Sequence, residues 1–182
     1  MDIVKRCMEL GAAGAAEVSV SKMVFDPELR ALCERNACGR YGHNYTCPPY
    51  VGPVDRLIAE LKAYPMAVIW QNIYPLEDSF DLEGMYAAQT RHNEMTLTLA
   101  REVYAVYGRD GALTLAAGGC TRCGECAQST GEPCRCPGEA LSSLEAYGIH
   151  VASLEAVTGL RYINGQNTVT FFSGVLVKNI GK

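Results

Sequence analysis

Apolar residues recur along this chain in two rhythms, and the changes between them mark out its elements. Asp2 to Leu10 reads as a short helix stopped at Gly11, and Ala16 to Val24 alternates as a strand does. Asp26 and Pro27 then supply a cap and a first residue for a helix whose last turn holds Cys33. Asn36 to Gly52 follows neither rhythm, and its three glycines and two prolines make it an ordered loop. Pro53 opens a helix with Val54, Leu57, Ile58 and Leu61 on one stripe, which Pro65 ends. Met66 to Tyr74 starts as an unbroken apolar run, the pattern of a central strand covered on both faces.

The longest helix is predicted from near Glu83 to Tyr107, capped by Ser79 or Asp81. Met85, Ala88, His92, Met95, Leu99, Val103 and Val106 keep its three-four spacing. After a turn at Gly108 to Gly111, Ala112 to Ala117 forms a short apolar strand, which Gly118 and Gly119 deliver into a cysteine-rich loop. Gly138 to Tyr147 reads as a helix closed by Gly148, and Ser153 to Val157 as a short one capped by Ser153 and ended at Gly159. Asn164 and Gly165 signal a turn. Thr168 to Lys178, rich in branched and aromatic residues, is a last strand with Gly174 as a bulge. Strands separated by helices predict one α/β or α+β domain over residues 1–182, a sheet of about four strands with helices packed on it.

Composition narrows the function more than the fold. Of 182 residues, 48% are hydrophobic and 20% charged, and the net charge is only −4, so neither disorder nor a nucleic-acid surface is indicated. The first residues carry Lys5 and Arg6 but no sustained apolar run, and no later stretch is apolar for long enough to cross a bilayer. A cytoplasmic protein without a membrane partner is expected. Nine cysteines in that reducing compartment point to metal ligation before disulfides.

Their spacing sharpens this reading. Cys120, Cys123 and Cys126 recur every third residue, the interval at which one loop holds three corners of an iron-sulfur cube. Cys134 or Cys136, the latter followed by proline, offers a fourth ligand, as does the distant Cys47 with Pro48. A second group, Cys33, Cys38 and Cys47, brackets the glycine-rich loop, so the chain carries two cysteine-rich metal-binding loops. Eight thiols allow two clusters, with Cys134 or Cys136 completing whichever set is nearer, or one cluster with zinc or nothing at the first group. Structural zinc usually draws on two separated pairs of ligands, whereas here three thiols follow at one interval. Cys7 stands apart in a helix and reads as a buried structural thiol.

Other residues take supporting parts. Gly118, Gly119, Gly124 and Gly131 let backbone approach a cluster, or simply make turns; Arg122 and Arg135 offset its negative charge, or face solvent. His43 is a candidate replacement ligand for the first group, while His92 belongs to a helix stripe and His150 has nothing local to single it out. Tyr41, Tyr45 and Tyr50 are candidates to shield a site. The chain has no phosphate-binding glycine loop, dinucleotide fingerprint, zinc-protease motif or nucleophile elbow.

Four stretches together resemble a family of predicted prokaryotic metal-binding proteins of unknown function, DUF2284, over nearly the whole chain. They are C-G-R-Y-G-H-N-Y-T-C-P-P-Y from Cys38, A-G-G-C-T-R-C-G-E-C from Ala117, P-C-R-C-P from Pro133 and L-E-A-Y-G-I-H-V from Leu144. The resemblance implies metal binding through these cysteines and supplies no reaction. This chain has Cys136 where the family pattern tends to histidine, which makes Cys134 the better fourth ligand of the second group.

The expected function is that of an iron-sulfur protein, with one or two [4Fe-4S] clusters, that exchanges electrons with a protein partner. The expected cluster ligands are Cys120, Cys123, Cys126 and Cys134. The alternatives are an enzyme whose cluster has an open iron for a small substrate, and a zinc-stabilised binding module.

Overall fold

The structure, a computed structural model, describes residues 1–178. Four strands, β1 (Gly14–Ser19), β2 (Met66–Pro75), β3 (Ala112–Leu115) and β4 (Thr168–Val177), form one sheet in the order β1-β2-β4-β3. Every neighbouring pair is antiparallel, so the fold is α+β. Among the described residues five α-helices accompany it: α1 (Ile3–Glu9), α2 (Leu29–Glu34), α3 (Val54–Lys62), α4 (Leu82–Tyr107) and α5 (Leu154–Thr158). No helix among the described residues is long and apolar enough to cross a membrane.

The central position of β2 and β4 follows from their composition. Val68 and Trp70 of β2, with Val175 and Val177 of β4, pack against Ile3 and Cys7 of α1 and Leu99 and Val103 of α4. The alternate residues Ala67, Ile69, Phe172 and Leu176 bury against Leu57 and Leu61 of α3 and Leu154 of α5. Both faces are thus covered, as the apolar run in Met66 to Tyr74 predicts. Cys7 is wholly buried in the first layer, and burial pushes its thiol up to about 12.

Helix ends obey local chemistry. Asp2 accepts from the Lys5 N–H at 2.9 Å, and Asp81, not Ser79, caps α4 by accepting from Gly84 at 2.7 Å. On α4 the stripe holds at Ala88, His92, Leu99 and Val103, all buried, but Val106 is exposed, and Tyr104 and Tyr107 pack on the core at that end instead. His92 is enclosed: Nδ1 lies 2.8 Å from Asn72 Oδ1 and Nε2 2.7 Å from Ser173 Oγ. Asn72 uses its amide nitrogen to donate to Gly11, so its oxygen accepts from Nδ1–H and leaves Nε2 to accept from Ser173. Burial holds the imidazole down at about 4.

Helix α2 begins at Leu29 and not at Pro27, and Ser153 does not cap α5 with its side chain. Three further expectations fail because tertiary hydrogen bonds or packing outweigh local preference. Residues 138–147 do not form a helix. Ser142 and Leu144 extend alongside Ala116 instead, with bonds from Ala116 N–H to Ser142 O at 2.8 Å and Leu144 N–H to Ala116 O at 3.3 Å, and only Glu145–Tyr147 closes into a 3-10 turn. The first strand stops at Ser19 and gives way to a 3-10 turn, Val20–Lys22. Gly174 is not a bulge, since it pairs in register with Ile69. A Cβ there would lie 2.7 Å from Ile69 Cδ1, so that glycine answers to close packing.

Candidate metal centre

The two cysteine groups meet at one end of the sheet because two anchors bring them there. Strand β3 runs through Ala116 and Ala117 into the second loop, and α4 fixes that exit. Asn93 Nδ2 donates to the Ala117 carbonyl at 2.9 Å, and Asn93 Oδ1 accepts from the Ala117 N–H at 3.1 Å. The first loop then grips the next residues. Asn44 Nδ2 donates 2.8 Å to the Cys120 carbonyl, Arg40 Nη1 donates 3.3 Å to the same oxygen, and the Cys120 N–H donates 3.0 Å to Thr46 Oγ1. Thr46 in turn donates 2.9 Å to Asn44 Oδ1. Asn44 and Thr46 are buried, which makes these bonds structural rather than incidental. Tyr45 adds a further tie, its hydroxyl donating 2.8 Å to Glu132 O while its ring meets Tyr50 edge-on.

Two thiol-lined cavities result. The second group, Cys120, Cys123, Cys126, Cys134 and Cys136, lines one of about 190 Å³ together with Arg40, Arg122 and Arg135. The first group, Cys33, Cys38 and Cys47, lines another of about 430 Å³ with Arg40, Gln89 and Glu145. Gly118-Gly119 lines the first cavity and leads directly into Cys120 of the second. Gly118 has a left-handed φ of +71° and lies where a Cβ would strike the Gln89 amide at 2.4 Å. Arg40 borders both cavities.

This partition answers several sequence expectations. Neither Cys134 nor Cys136 lines the first cavity, so the two groups share no thiol. His43 faces the second cavity and not the three thiols it was expected to complete. His150 is a cap, its Nδ1 accepting from the Ser153 N–H at 3.2 Å. Of the four loop glycines, Gly124 borders the second cavity and Gly118 and Gly119 border the first. Gly131 borders neither and only turns the chain at φ +72°. Tyr41 borders neither cavity, and Tyr45 borders the second. Arg40, Asn44, Thr46 and Glu145 also line or anchor these cavities, and the spacing of the cysteines does not single them out. Arg40, Asn44 and Thr46 stand inside the Cys38 to Tyr50 stretch, and Glu145 inside the stretch that starts at Leu144.

All nine cysteines are free, and none is paired in a disulfide. Burial raises Cys47 to about 11 and also raises Cys120 and Cys136, with the neighbouring Cys123 adding to the last. Cys33 is raised by burial, opposed by Arg30 and assisted by Cys38 and Glu145. Metal loading must therefore displace protons from these sulfurs. Arg122, on the wall of the second cavity, is shared with two carboxylates, Glu94 at 2.7 Å and Glu139 at 2.9 Å. Its charge is held in place but already partly met.

Among the described residues, no three His, Cys, Asp or Glu side chains converge as a single ion would require. The thiols stand around cavities instead. Soft sulfur donors beside cationic guanidiniums on the wall of the second cavity are groups that could hold a metal centre.

Fold and loops together define an α+β protein with two adjacent thiol-lined cavities at one end of an antiparallel sheet. The chain belongs to the DUF2284 family, described as predicted metal-binding proteins, whose sequence model matches residues 16–177. No curated protein and no solved structure matches it.

Proposed function

We propose that this protein is an iron-sulfur electron carrier, with a [4Fe-4S] cluster held in the second cavity by Cys120, Cys123, Cys126 and Cys134. The observation that carries this reading is the wall of that cavity, where five thiols and three arginines surround one space of about 190 Å³. A tetrahedral zinc ion would need its sulfurs within about 2.3 Å of one point, whereas thiols spaced around a cavity suit a cluster with several metal atoms. Bound there, a cluster supplies one-electron chemistry. The chain's own residues hold the loop through Asn44, Thr46 and Arg40, and place cations where an anionic cluster gains from them.

The partner is a protein donor or acceptor that docks over the half-exposed rim of this loop, and the setting is a reducing, cytoplasmic one. The test is anaerobic purification followed by iron, sulfide and zinc analysis and a reductive titration watched by electron paramagnetic resonance. Iron and labile sulfide in equal amounts with a reducible signal support the reading. Stoichiometric zinc without iron, or a cluster that accepts no electron at any accessible potential, overturns it.

A further inference from the structure

The eight clustered thiols divide five to three, and the smaller set is one donor short of a cube. Cys33 comes from the last turn of α2, Cys38 from the turn beyond it and Cys47 from the end of the glycine-rich loop. The spare thiol of the larger set lies in the other cavity and does not reach them, and neither does His43. What the first cavity does present is Glu145, the one carboxylate on its wall.

Two features place that carboxylate with the thiols. Helix α2 packs on the 3-10 turn that carries it, with Arg30 Nη2 donating 3.1 Å to the Ala146 carbonyl, so Cys33 and Glu145 are on touching elements. Among the described residues Glu145 forms no ion pair, and it is exposed, so its carboxylate stands free on the wall of the cavity. The same cavity is lined by Tyr86, Gln89, Tyr162 and Phe171, the aromatic and amide walls of a small-molecule site.

We propose that Cys33, Cys38 and Cys47 hold a second iron-sulfur cluster by three of its irons, and that Glu145 is the exchangeable oxygen ligand of the fourth. A small anion entering the cavity takes its place there. The exchange breaks one iron–oxygen bond and forms one iron–ligand bond, with no change of oxidation state, and Arg40 on the same wall favours a negative ligand. This inference rests on the reading that the cysteines bind iron-sulfur clusters, and it gives the two cavities different work: one closed by thiolates for electrons, one open for a ligand.

The experiment uses the full-length chain reconstituted anaerobically, with cyanide as the probe. Iron and sulfide should reach two clusters' worth per chain and fall by half in Cys38→Ala. Cyanide should shift the electron paramagnetic resonance signal of one cluster and leave the other unchanged. Glu145→Cys, which completes the thiolate set, should keep the iron and lose the cyanide shift. The isosteric Glu145→Gln should respond at lower cyanide concentration, and keeps the test decisive if the cysteine variant misfolds. A cyanide response equal in all three proteins overturns the assignment of Glu145. A single cluster that survives Cys38→Ala overturns this inference alone and leaves the electron carrier standing, whereas no iron at either cavity removes both.

Discussion

The sulfur of Cys47 lies 2.6 Å from the point where a Cβ on Gly119 would stand. The same point is 2.8 Å from Arg40 Cδ, so one hydrogen atom separates the two cysteine loops where any other residue would force them apart. Gly119→Ala is expected to displace Cys47 and Arg40 together. It should cost about 1–3 kcal/mol of stability and empty the first cavity of metal before the second, as read by iron per chain and by urea unfolding.

The second loop depends on its hydrogen-bonded anchor as much as on its ligands. Thr46→Val removes the acceptor for the Cys120 N–H and the donor to Asn44 while nearly keeping shape. Leaving buried polar groups unpartnered should cost about 1–3 kcal/mol. Bleaching of the visible absorption in air should quicken, with iron content at purification little changed.

Cys134 and Cys136 share a cavity, yet four thiols complete a cube. Cys134→Ala is expected to lose the cluster of the second cavity, as Cys123→Ala does. Cys136→Ala should retain it. Iron and sulfide analysis of the three variants checks the order, and equal loss in all three would show that Cys136 is a ligand.

His92 gives the fold an acid limit. Its imidazole sits at about 4 in the folded chain, against an ordinary value near 6.5 once unfolded. The unfolded state therefore binds the extra proton first, and stability is lost as pH falls from about 6.5 towards about 4. The loss approaches about 3 kcal/mol across that window. In metal-free protein, unfolding by urea at pH 7 and pH 4.5 should show a drop that is smaller in His92→Gln.

Spacing along the chain was enough for the three-residue interval of the thiol loop at Cys120 to Cys136, for β2 as a central strand and for a cap of α4 at Ser79 or Asp81, because each depends on near neighbours. The 138–147 segment was not legible. Its glutamate, serine and leucine residues suit a helix, and only the presence of β3 beside it offers Ala116 as a better partner for its backbone. The same limit applies to Gly174, whose neighbours in space, Ile69 and Leu144, come from distant parts of the sequence.

What the amino-acid order determined by itself is the inventory: nine thiols, three of them at a strict interval, and four strands' worth of apolar pattern. Tertiary structure decided the allocation. It put five thiols in one cavity and three in another, turned His43 to the larger set, and brought Glu145 to the smaller one. Ligand spacing within a loop is a local property of the backbone, whereas the company a loop keeps is set by which strands pair and which helices cover them.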